Sequence, residues 1–132
     1  MITEDYVSYE VAKLLKEKGF NEYCLKNYWS SDKELHDWKW ELSYNRNSDE
    51  NRNTKDCAAP THQMAMKWLR EEKNIFIVIE PHAYDYINEK NSSYVYSLWQ
   101  GDNYYENPEL KSYSSYEEAV EAALKYTLEN LI

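Results

Sequence analysis

The segment Glu80-Pro81-His82-Ala83-Tyr84-Asp85-Tyr86 gathers the residue types in this chain best suited to moving a proton. In an extended strand alternate side chains share a face, so Glu80, His82, Tyr84 and Tyr86 would line up together. A carboxylate beside an imidazole can orient it as acid, base or ligand, and a tyrosine hydroxyl adds a further donor. Such a set would suit a small hydrolase or a ligand-binding protein. Pro81 works against the register, because it donates no ladder hydrogen bond and belongs at bulges or edge strands. The competing reading is an exposed strand edge whose polar residues blunt aggregation.

Other chemistries find less support. Cys57 lies just ahead of a helix start at Thr61, where a helix dipole could activate a thiol, and His62 follows five residues on. No oxyanion loop accompanies them, and a packed or idle thiol at the entry to a helix is the expected reading. Cys24, Cys57, His36, His62 and His82 show none of the CxxC, HxH or HExxH spacings that hold a metal, so no metal site is expected. The only glycines, Gly19 and Gly101, fit neither a phosphate-cradling loop nor a dinucleotide fingerprint. No cofactor is expected.

Aromatic display is the remaining signal. The chain has 14 Tyr and 5 Trp against 2 Phe, so most of its rings carry a polar atom and can sit half in water. Tyr94, Tyr96 and Leu98 should share one face of a strand and Val95, Ser97 and Trp99 the other, one set under helices and one toward solvent or a partner. Tyr104, Tyr105 and Tyr113 fall among Asp102, Glu106 and Glu109, in what reads as the approach to the last helix. Rings flanked by carboxylates suit a protein contact or a cationic ligand. Tyr84, Tyr86, Tyr104, Tyr105 and Glu106 are therefore the candidate binding residues. The alternative is that the loop rings simply pin their segment to the sheet.

Three helices must position these groups. Val7, Val11, Leu14 and Leu15 predict a helix over 8–18, ended by Gly19, with Phe20 folding back onto Leu14 or Leu15. Pro60 and Thr61 announce a second, with Met64, Ala65, Trp68 and Leu69 on one face and an end near Asn74. Ser115-Tyr116-Glu117-Glu118 fits a capping box and opens a third helix over 116–130, whose stripe is Ala119, Val120, Ala123, Leu124, Thr127 and Leu131. The stretch 6–12 matches 113–119 at five of seven positions. Shared capping chemistry accounts for this without duplication.

Strands are expected at 23–29, at 38–44, where Trp38, Trp40, Leu42 and Tyr44 alternate with polar residues, at 75–80 and at 94–100. Gly101-Asp102-Asn103 should end the last of these. The stretch 45–56 has not one aliphatic residue and reads as an exposed, mobile polar loop. The order α-β-β-α-β-β-α predicts one α+β domain over 1–132, with a four-stranded, mainly antiparallel sheet covered by helices mainly on one face.

Net charge is -9 over 132 residues, and it is unevenly placed. Residues 1–73 carry 14 acidic and 12 basic side chains, whereas residues 74–132 carry 10 acidic side chains and only Lys90, Lys111 and Lys125. Without clustered cations the second half is a poor match for nucleic acid or an anionic membrane, and a basic protein partner is electrostatically easier. The opening Met1-Ile2-Thr3-Glu4-Asp5 has no export signal, no apolar run is long enough to span a bilayer, and two distant cysteines fit reduced thiols. A cytoplasmic protein is expected.

The blocks Cys57-Ala58-Ala59-Pro60-Thr61-His62-Gln63-Met64-Ala65-Met66-Lys67-Trp68-Leu69-Arg70-Glu71 and Ser115-Tyr116-Glu117-Glu118-Ala119, continuing to Leu131-Ile132, resemble short uncharacterised proteins of gut Bacteroidales, their prophages and their phages. That family has no assigned activity, so the resemblance implies only a context: a small intracellular accessory protein of phage or mobile-element type. Together these readings predict a non-enzymatic module that acts by protein contact, or by self-association, through the acidic, tyrosine-bearing second half. The hydrolase built on Glu80, His82 and Tyr84 is the alternative.

Overall fold

The computed structural model describes residues 1–37, 44–49, 53–82 and 93–132. In chain order these form α1 (Tyr9–Glu17), β1 (Lys26–Tyr28), β2 (Leu35–Asp37), β3 (Cys57–Ala59), α2 (His62–Lys73), β4 (Ile75–His82), β5 (Ser93–Gln100), β6 (Asn103–Glu106) and α3 (Tyr116–Asn130). The class is α+β, as the pattern of elements predicts. The expected single sheet of four strands is replaced by two antiparallel sheets of three, ordered β2-β1-β3 and β4-β5-β6.

Helix boundaries follow from local chemistry. Ser8, Thr61 and Ser115 each place a side-chain oxygen on the amide three residues on, at 3.2, 3.2 and 3.1 Å, satisfying an otherwise orphaned donor. At α3 the box differs from expectation: the Glu118 carboxylate accepts from the Ser114 amide and hydroxyl, one residue ahead of the cap. Gly19, at φ 94°, ends α1 in a Schellman turn, with Phe20 N–H donating to Leu15 O at 2.9 Å and Gly19 N–H to Lys16 O at 3.1 Å. Asn74, at φ 54°, ends α2 in the same left-handed region, which Asn tolerates better than most residues.

One cluster of buried residues joins the two halves. Val7 just ahead of α1, Val11 and Leu15 from α1, Leu69 from α2, Ile75 from β4, and Val120, Leu124 and Leu128 from α3 all belong to it, with Phe20 and Trp68 packed edge to face at 5.5 Å. A second cluster of Tyr96, Leu98 and Ala123 lies where α3 crosses β5. On α2 the buried side includes Met66 and His62, while Met64 is exposed, so the apolar face is rotated from the one its spacing suggested.

The first sheet departs most from expectation. The alternating stretch predicted as a strand at 38–44 lies, except for Tyr44, outside the described residues, and β2 ends at Asp37. The stretch 45–56, expected to be an exposed loop, is exposed at 48 and 53–55 but tied to the core at Asn45 and Asn47. Asn45 is fully buried and exchanges backbone hydrogen bonds with Cys24 at 2.7 and 2.8 Å. Asn47 donates to Phe20 O at 2.8 Å and accepts from the Ala58 amide at 2.9 Å. Asparagine side chains carry both a donor and an acceptor, so they can stand in for missing ladder bonds. That use of a polar run is invisible to hydropathy.

Candidate functional site

The second sheet carries the candidate site. Because successive strand residues point to opposite faces, Ile75, Ile77 and Ile79 of β4 turn toward the core while Phe76, Val78 and Glu80 turn away. On β5 the same alternation buries Tyr96 and Leu98 under α3 and leaves Val95, Ser97 and Trp99 on the outer face. The undecided face of β5 is thereby assigned.

A third strand completes this face. Gly101 and Asp102 end β5 after Gln100, as expected, but they do so as a two-residue hairpin, with Gly101 at φ 57° in the first central position, where type II′ turns need a positive φ. The chain therefore returns as β6, which sequence reasoning took for a loop. Its register sets Trp99 opposite both Phe76 on β4 and Tyr104 on β6. The three rings form one row across the sheet, 43, 41 and 48 % exposed, and the Trp99 and Tyr104 rings lie 4.6 Å apart. Adjacent to this row stands the row Val78, Ser97 and Glu106, with Glu80 beyond. β4, β5 and β6 contain no Lys or Arg, so the face combines apolar rings with carboxylates and no compensating ammonium or guanidinium of its own.

The predicted residues divide. Tyr104 and Glu106 lie exposed on this face. Tyr105 does not: it points inward and packs, half-buried, against the Tyr96 and Leu98 cluster, because the period of two sends neighbours to opposite sides. Glu80 and His82 are exposed on one face of β4, whose pairing runs unbroken through Pro81 opposite Tyr94. β4 is an edge strand, where proline is tolerated. The two side chains are not hydrogen-bonded to each other, and neither lines any of the three cavities found in the described residues. Tyr84 and Tyr86 lie outside the described residues. Phe76 and Trp99 were missed as partners, because their alignment depends on a strand register that hydropathy does not fix.

Behind the sheet, tyrosines serve as fasteners. Tyr113 bridges to Tyr94 through backbone bonds of 2.8 and 2.7 Å, and the hydroxyls of Tyr96 and Tyr113 both donate to Glu109 Oε2 at 2.7 Å. Burial, reinforced by the Glu109 charge that accepts both protons, pushes both hydroxyls well above the ordinary tyrosine range. These rings pin the segment before α3, which was the alternative reading of the loop aromatics.

Elsewhere, His62 is 6 % exposed and its Nε2 sits 2.9 Å from Glu121 Oε1, the same oxygen that accepts the Ser8 amide at 2.8 Å. The Glu121 carboxylate thus ties the starts of α1 and α2 to α3. His62 and Cys57 line different cavities, so the thiol and imidazole do not form a common site. No disulfide joins Cys24 and Cys57. Among the described residues no group of three His, Cys, Asp or Glu could hold a metal ion, and no helix is long and apolar enough to cross a membrane.

Compared with family models, curated proteins and solved structures, the chain matches none.

Proposed function

We propose that this chain is a non-enzymatic accessory protein that works by protein contact through the outer face of β4, β5 and β6. The observation that carries this reading is the row Phe76, Trp99 and Tyr104. Three adjacent rings left two-fifths or more exposed cost solvation free energy that a partner would recover, and large aromatics dominate contact energies when they become buried. Glu80 and Glu106 beside them favour a basic partner segment, since an arginine or lysine can stack on Trp99 or Tyr104 and meet a carboxylate in the same contact. The likeness to phage and prophage proteins of gut Bacteroidales agrees with an accessory role in the cytoplasm. Self-association through the same face is the quieter form of this reading.

A hydrolytic role for Glu80 and His82 draws only on their shared face, and neither lines a cavity among the described residues. Protein contact is therefore the reading adopted. Its test is capture from a cell lysate by the wild-type chain and by Phe76→Ser/Trp99→Ser/Tyr104→Ser, with light scattering on the purified chain. The reading expects a partner, or a dimer, that the variant loses and that weakens as salt is raised from about 0.1 to 0.5 M. A monomeric protein whose captured set is unchanged in the variant would contradict it.

A further inference from the structure

Against the acidic background of the molecule, one cavity is basic. It holds about 580 Å³ between α1 and the segment leading into β3, and its walls include Tyr9, Lys13, Lys16, Ser30, Thr54 and Lys55. Glu17 is the one carboxylate in the lining, against three lysines. A fourth, Lys33, held at φ 56° in the β1–β2 connection, reaches 5.9 Å from the Tyr9 ring centroid.

These lysines are not equivalent. Lys16 donates to Thr54 O and Asp56 O, and so acts as a strut that fixes the far wall to α1. The Asp56 carboxylate accepts from the amide of Ser30, itself a wall residue, at 2.8 Å. Lys13 and Lys55, by contrast, have no acidic partner among the described residues. Two ammonium groups without an ion-pair partner among the described residues thus stand at a space whose walls also offer the hydroxyls of Ser30 and Thr54 and the ring of Tyr9.

We infer that this cavity binds a phosphate monoester of mononucleotide size. Ammonium groups bind phosphate as point charges, and nearby hydroxyls complete the contact to its oxygens. The space falls within the range that holds a small organic ligand and far exceeds a lone inorganic ion, so an organic part would lie along Tyr9. The inference is independent of the outer face of the second sheet, which lies in other elements.

Isothermal titration of the full chain with AMP and UMP, at about 20 mM salt where such contacts are least screened, tests it. Adenosine, inorganic phosphate and a short single-stranded oligonucleotide serve as comparisons. Saturable mononucleotide binding with Kd between about 10 μM and 1 mM is expected, with adenosine and inorganic phosphate each weaker by about tenfold or more. Lys13→Gln/Lys55→Gln changes two exposed side chains, so it should keep the fold by circular dichroism while weakening binding by about tenfold or more. No saturable heat up to about 10 mM mononucleotide would overturn the inference. So would equal affinity for inorganic phosphate, tighter binding of the oligonucleotide, or unchanged affinity in a folded double variant.

Discussion

The two sheets of this protein are held together by different means. The first has strands of three residues each, and its order β2-β1-β3 leaves little ladder to hold it. Side chains make up the difference: Asn45 donates to Cys24 O at 2.7 Å, Asn47 joins Phe20 to Ala58, and the Tyr28 hydroxyl donates to Val7 O at 2.7 Å. The second sheet pairs eight residues of β4 with eight of β5 and buries an apolar inner face under α3. Its ladder is backbone pairing, to which Tyr113 adds a bridge at Tyr94, so its outer side chains are not needed to hold it. A sheet stitched by polar side chains has few to spare for a partner, whereas a sheet held by its ladder can display them.

The sharpest way to break this contrast is to mutate neighbours on opposite faces of β5. Leu98→Ala removes a fully buried side chain beneath α3 and should cost about 2–5 kcal/mol in denaturant unfolding. Trp99→Ser, one residue on, should cost about 1 kcal/mol, the scale of one exposed aromatic pair. Comparable losses at the two sites would mean that the outer face is structural.

Asn47→Ala sharpens the other side of the comparison. It deletes both bonds that fasten the stretch 45–49 to Phe20 and β3, and should cost about 1–3 kcal/mol despite lying in a polar run. A loss within about 0.5 kcal/mol, the usual range for surface changes, would show that the first sheet does not depend on its asparagines. Smaller still is Ser115→Ala, which removes the α3 cap bond and should cost about 1 kcal/mol.

Alkaline titration reports on the two tyrosines fastened behind the second sheet. The hydroxyls of Tyr96 and Tyr113 hold their protons more tightly folded than unfolded. Their contribution to stability is therefore complete below the ordinary tyrosine value of 10 and declines as pH rises above it. Tyr96 and Tyr113 should ionise only as the chain unfolds. Absorbance of phenolate followed beside circular dichroism would check this, and removal of the acceptor by Glu109→Ala should move the two late ionisations toward the rest.

What could be read from the sequence follows the same division. The helices were legible because caps and apolar spacing act locally: Ser8, Thr61 and Ser115 start them, and Gly19 and Asn74 end two of them. Ser8 and Ser115 also explain the repeated opening of α1 and α3 as equivalent caps, and the two sheets have different strand orders. β4 and β5 were legible from their β-branched and aromatic content. β6 was not, because Asn103-Tyr104-Tyr105-Glu106 has a strand period too short to stand out, and only Gly101 in a positive-φ turn position marks the hairpin. Missing β6 hid the aromatic row, since Tyr104 meets Trp99 only through that hairpin. The polar first sheet was illegible for a deeper reason. Its contacts join residues 20–30 apart in sequence through asparagine amides, which no periodicity encodes.

The account rests on the claim that Phe76, Trp99 and Tyr104 form a contact face rather than an incidental display of rings. Side-by-side capture by the wild-type chain and by Phe76→Ser/Trp99→Ser/Tyr104→Ser, each first shown to be folded, tests it most directly. The account predicts a protein held by the wild type, a second copy included, that is lost from the folded variant. Equal capture by both chains, or no capture by either together with a strictly monomeric protein, would contradict it.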